Sequence, residues 1–143
     1  MRAIVRSAIL VCLAGVCLYA DAESDVNSLF GSLTDALAEV NAPGFMAAFD
    51  QKMPGYEQLK TAVEALVNQA EVSSSVEPLK NEGNDAKRVV DLDWYLEVRS
   101  LEQDGPIIRR REVIHCELEK ENKRWKIVSL QPIEFFAPAK LDQ

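Results

Sequence analysis

Four side chains have the type and placement to meet a ligand: Tyr56, Trp94, Arg110 and Glu112. Arg110 and Glu112 share strand parity with Ile108, Ile114, Cys116 and Leu118. That parity sets a cation and a carboxylate on the apolar side of a strand, where an unpaired polar group is costly. At the open end of a cavity they would fix a polar ligand group, with Trp94 and Tyr56 as apolar or stacking walls. At a fraying hairpin end the same two side chains would simply reach water. A catalytic version makes Glu112 a general base, with Arg110 or Tyr56 stabilising developing negative charge.

The remaining candidates carry less. His115, the single histidine, falls on the polar strand face with Asp93, Tyr95, Glu97 and Glu117, turned away from any pocket. Alternation splits the run Arg109-Arg110-Arg111 across two faces, so Arg109 and Arg111 read as part of a solvated charge network near Glu97 and Arg99. Asp91, Asp93 and Glu97 lack the enclosing cleft of a glycosidase carboxyl pair and the short irregular segment of a calcium loop. No G-x-S-x-G, H-E-x-x-H, C-x-x-C or glycine-rich phosphate loop occurs. No catalytic set, metal site or cofactor is therefore expected.

The elements that must position these residues come in two blocks. Val26, Leu29, Phe30, Leu33, Leu37 and Val40 recur at steps of three and four, the stripe of an amphipathic helix, and Asn41-Ala42-Pro43-Gly44 is expected to end it. Phe45, Met46 and Phe49 suggest a short second helix closed by Met53-Pro54-Gly55. A third runs from about Tyr56 to Gln69 on Leu59, Val63, Leu66 and Val67. From Val72 the period becomes two, and strands are expected at 71–80, 86–101, 107–119 and 124–135. A two-residue turn at Glu121-Asn122 would pair Leu118 with Trp125, Cys116 with Ile127, Glu117 with Lys126 and Glu119 with Arg124. The fold class is α+β: three N-terminal helices packed on a curved four-stranded antiparallel sheet.

Ahead of this block, Met1 to Arg6 carries two arginines and no acid, Ala8 to Tyr19 is an unbroken apolar run, and Ala20-Asp21-Ala22 offers small residues at the cleavage positions. That order predicts a signal peptide over 1–22 and one domain over 23–143, exported to the periplasm or secreted. The apolar run falls short of the roughly 20 residues of a membrane-spanning helix, so no stable membrane insertion is expected after cleavage. Cleavage removes Arg2, Arg6 and Asp21, which leaves 14 of 16 basic and 22 of 23 acidic residues. Such an acidic domain disfavours nucleic acid as a partner. Cys12 and Cys17 leave with the signal, so Cys116 has no disulfide partner within the domain and reads as a small core hydrophobe.

The helix entered through Met53-Pro54-Gly55-Tyr56, the strand Val89-Val90-Asp91-Leu92-Asp93-Trp94 and the closing Arg124-Trp125-Lys126-Ile127-Val128, ending in Phe135-Phe136, together resemble the nuclear transport factor 2-like superfamily, a cystatin-like α+β cone. The resemblance covers roughly 26–136 and departs from the superfamily pattern between the second and third helices, where Met53 to Gly55 leaves no room for a hairpin. It implies a cone-shaped cavity between helices and sheet and homodimerisation through the outer sheet face. It implies no single activity, because that fold carries isomerases, cyclases, dehydratases and binding domains. The leading expectation is a non-catalytic exported domain that binds a small apolar or amphipathic molecule or a partner protein. The alternatives are an isomerase- or cyclase-like enzyme with a pocket carboxylate as base, and a structural dimerisation module whose cavity is filled by Trp94, Trp125, Phe135 and Phe136.

Overall fold

A computed structural model describes residues 21–141. The expected signal segment, apart from Asp21 and Ala22, lies outside the described residues. Three helices precede a four-stranded antiparallel meander of order β1-β2-β3-β4, in agreement with the fold class read from the sequence.

Helix α1 occupies 21–38. Its stripe of Val26, Phe30, Leu33 and Leu37 is buried, while Val40 is 55% exposed because the chain has already left the helix. Val40 takes a left-handed φ of 57°, and the Asn41 N–H reaches the Ala36 carbonyl at 2.9 Å. This is the pattern that satisfies the last carbonyls of a helix. The Asn41–Gly44 stretch, expected as a break, is instead the start of α2 (Ala42–Met46). The Asn41 side chain accepts from the Gly44 N–H at 2.9 Å, and Pro43 sits in the first turn, where a missing N–H costs nothing.

Phe49, expected in that helix, is extended. It bridges in parallel to Ile127, with Ile127 N–H to Ala48 O and Asp50 N–H to Ile127 O both at 2.9 Å. The loop thereby covers an otherwise open sheet edge. Helix α3 (Tyr56–Gln69) lies where the periodicity put it and buries Leu59, Val63, Leu66 and Val67. It starts after Gly55, whose φ is 82° and where a Cβ would collide with the Ile133 side chain.

Strands β1 (Ala70–Gly83), β2 (Lys87–Ser100), β3 (Ile107–Glu121) and β4 (Arg124–Gln131) follow. Pro78 is tolerated because β1 is an edge, and the register shifts between Pro78 and Lys80. The hairpin register expected from a turn at Glu121-Asn122 is wrong by one position. Asn122 and Lys123 hold the left-handed φ values, 49° and 69°, so they form the turn. Glu121 then faces Arg124, Glu119 faces Lys126 and Leu118 faces Ile127, with a bulge before Glu117. Near the turn the pairing slips by two residues, which keeps Trp125 and Ile127 on the inner face, and the bulge between Leu118 and Glu117 adds a third, so that Leu130 turns inward opposite Cys116. The last strand also ends at Gln131, short of the expected 135, because Pro132 has no N–H for the ladder. A 3-10 turn over Ile133–Phe136 carries Phe135 and Phe136 back into the core.

Among the described residues one charged side chain is buried: Arg88, 6% exposed. Its guanidinium donates to Asn81 Oδ1 at 2.6 Å, Asn81 O at 2.9 Å and Asn84 O at 3.2 Å. Asn81 in turn donates to Asn27 Oδ1 of α1 at 3.0 Å, so this cation ties the β1–β2 hairpin to the first helix. Replacing Arg88 with Met leaves those oxygens without donors, and urea unfolding is expected to show a loss of about 2–3 kcal/mol.

Candidate functional site

The inner sheet face is filled by aromatic rings. Trp94 is fully buried. It meets Phe136 edge to face at 5.0 Å and Phe135 at 6.4 Å, while Phe136 meets Phe45 of α2 at 5.6 Å. Trp94 is thus part of the packing between helices and sheet, where the sequence suggested a ligand wall. Arg110 keeps the expected inward parity but is committed to the chain itself. Its Nη1 donates to the Phe135 carbonyl at 2.9 Å and to the Ala137 carbonyl at 2.5 Å. Partial burial lowers its pKa, with Glu112 opposing the shift. Glu112 is exposed.

Tyr56 stands apart from these three. It opens α3 and lines a surface groove of about 820 Å³, within the roughly 300–1,000 Å³ of small-molecule clefts. The four residues named from sequence therefore do not share one pocket, and Glu112, Arg110 and Tyr56 do not converge as a base and its helpers.

The groove has an apolar floor of Pro43, Met46 and Phe49 and a charged rim of Asp50, Lys60, Glu121 and Lys126. Lys126 donates to the Ala47 carbonyl at 2.6 Å. The Asp50 carboxylate accepts from the Lys52 N–H at 2.8 Å. That bond lowers the Asp50 pKa, and a side-chain hydrogen bond with Glu121 lowers it further. Glu121 moves the opposite way: the hydrogen bond to Asp50, partial burial and the charges of Asp50 and Glu119 raise its pKa, with Lys126 opposing. Each carboxyl group shifts the titration of the other, Asp50 downward and Glu121 upward. Sequence reasoning missed the pair, because it joins the loop before α3 to the far end of β3. No sequence signal links the two, which the parallel bridge of Phe49 to Ile127 brings together.

The outer sheet face is a self-neutralised charge ladder. Arg111 grips Asp93 through two hydrogen bonds of 3.0 and 2.6 Å, Arg109 lies 3.5 Å from Glu97, and His115 Nδ1 lies 2.7 Å from Asp91 Oδ1. These contacts match the solvated network expected there. Cys116, on the inner face, is 1% exposed, and burial pushes its thiol pKa far up.

No protein-family model matches the sequence, and no curated protein is significantly similar to it. Solved structures are. A nuclear transport factor 2-like superfamily protein from Salmonella enterica superposes with a TM-score of 0.68 at 12% identity, over 85% of this chain and 94% of that one. The chain has the nuclear transport factor 2-like fold. Other structures with this fold include a conserved protein from Planctomyces limnophilus, with a TM-score of 0.69 at 11% identity over 78% of this chain and 93% of that one. A hexachlorocyclohexane dehydrochlorinase, LinA type 2, gives 0.64 at 13% identity over 78% of this chain and 83% of that one. At such identities the likeness concerns the nuclear transport factor 2-like fold alone.

The carboxyl pair makes a pH signature. A raised Glu121 pKa contributes stability below the ordinary glutamate value of 4.5, and that contribution is lost as pH rises through the folded value. Glu121→Gln fixes the neutral form. Its melting temperature is expected to gain on the parent's as pH rises from about 4 to about 7. A difference that stays constant across that range would show that the two carboxyls are not coupled.

Proposed function

We propose that this chain is an exported, non-catalytic binding domain that takes a small apolar or amphipathic molecule, or an apolar segment of a partner protein, in the surface groove beside Tyr56. The observation that carries this reading is the aromatic filling around Trp94. A fold that can hold a ligand between helices and sheet here spends that space on its own rings, and Arg110, the polar group best placed to meet a ligand there, is tied to backbone carbonyls. The apolar floor and charged rim of the groove supply the chemistry that remains. Export belongs to the same proposal and rests on the order of charges, apolar run and small residues in 1–22. Pairing of two copies through the outer sheet face also belongs to it, supported by Val89 and Val113, each 43% exposed among ion pairs already satisfied within the chain.

One observation favours an isomerase- or cyclase-like second reading. Asp50 and Glu121 line the same groove as Tyr56, and the Glu121 pKa is raised, so this reading takes Glu121 as its base in place of Glu112.

Native mass spectrometry of protein purified gently from its own exported fraction tests the leading reading. The expected result is a chain beginning at Glu23 with a releasable small molecule, whose occupancy falls when Tyr56 is replaced by Ala. A chain that retains residues 1–22 contradicts export. Protein that is empty, or equally loaded without Tyr56, contradicts binding at the groove.

A further inference from the structure

We propose that a second cleft, between α1, α2 and the β3–β4 turn, is a binding site for amphipathic carboxylates. It encloses about 440 Å³ and adjoins the Tyr56 groove across Ala47 and Lys126, but its other walls are different residues, and the proposal does not rest on what the Tyr56 groove binds.

Three independent features converge on this cleft. The first is an unused donor. Trp125, one of its lining residues, is 7% exposed, and its indole Nε1 is buried with no hydrogen-bond partner among the described residues. Buried donors are almost always paired; the Trp94 indole is orphaned as well, but Trp94 lines neither cleft, whereas Trp125 lines this one, where an arriving acceptor would pair it. The second feature is charge. Lys123, Arg124 and Lys126 line the cleft against the single acid Asp25, on a chain whose formal net charge is −7. Neither Lys123 nor Arg124 forms an ion pair among the described residues. A local cationic rim on an acidic protein concentrates anions where the rest of the surface repels them. The third is the apolar wall of Leu29, Leu33 and Ala48, which suits an aliphatic or aromatic tail and has no use for a fully hydrated inorganic anion.

The placement follows from the hairpin register. Because Asn122 and Lys123 form the turn, Lys123 and Arg124 stand at the tip of the sheet beside α1, and Trp125 lies directly behind them. In the complex, the carboxylate accepts from the Trp125 indole and faces Lys123 and Arg124, while the tail lies along α1.

The test uses the full chain with decanoate, decanol and decyltrimethylammonium as probes. Calorimetry is expected to show saturable decanoate binding at least about tenfold tighter than either isosteric control. Arg124→Glu, at an exposed position, is expected to weaken decanoate by about tenfold or more, and Tyr56→Ala to leave it unchanged. Trp125→Phe removes the donor and is expected to weaken binding several-fold. Should that variant fail to fold, the parent decides the point, since decanoate must shift the Trp125 indole N–H proton resonance while leaving that of Trp94 in place. Equal affinity for decanoate and decanol, undiminished binding by Arg124→Glu, or an unmoved Trp125 resonance would each overturn the proposal.

Discussion

Trp94 reaches from the middle of the second strand into the space between sheet and helices, and Phe135 and Phe136 come back from the chain's end to meet it. Ring pairs of this kind add about 0.5–1.5 kcal/mol each beyond the area they bury, and the elements around them are arranged to keep them in place. The 3-10 turn that delivers the two phenylalanines is held from below by Arg110, which binds the carbonyls of Phe135 and Ala137. It is held from above by Ile133, which packs so closely on Gly55 that no side chain fits at the entrance to α3. Phe45 of α2 closes the cluster against Phe136 and Phe49.

With the interior occupied by these rings, the concave surfaces lie at the periphery. The loop from Ala47 to Asp50 extends the sheet by one bridge to β4, and concave surfaces open on both sides of the β3–β4 hairpin end. One carries Tyr56 and the Asp50–Glu121 pair, the other Trp125 and the cationic turn. The outer sheet face contributes differently: its charges are matched in pairs such as Arg111 with Asp93, which leaves little net field for a charged ligand.

The alternation of Val90, Leu92, Trp94, Leu96 and Val98 with Asp91, Asp93, Tyr95, Glu97 and Arg99 was enough to assign β2 and both of its faces, because period and burial coincide there. Helix α3 was equally legible from its apolar spacing. The turn at Asn122-Lys123 was not, since Glu-Asn and Asn-Lys both look like turn pairs and only the backbone conformation separates them. Tyr56, read from the sequence as a wall of the same cavity as Trp94, lines a separate surface groove instead. The aromatic residues Trp94, Trp125, Phe135 and Phe136 were recognisable as able to fill the interior, but the sequence did not show that Phe135 and Phe136 return past Pro132 to meet Trp94 while the Phe135 carbonyl engages Arg110. Parity says which way a side chain points and says nothing of what arrives to meet it.

The central claim is that the wild-type interior is full, and xenon tests it directly, since xenon enters dry apolar voids in crystals under modest pressure. Crystals of the parent protein should show no xenon between α3 and the sheet, whereas Phe136→Ala crystals should bind it beside Trp94. Xenon at Trp94 in the parent would contradict the account, because it would mean that a cavity between helices and sheet is available to a ligand after all.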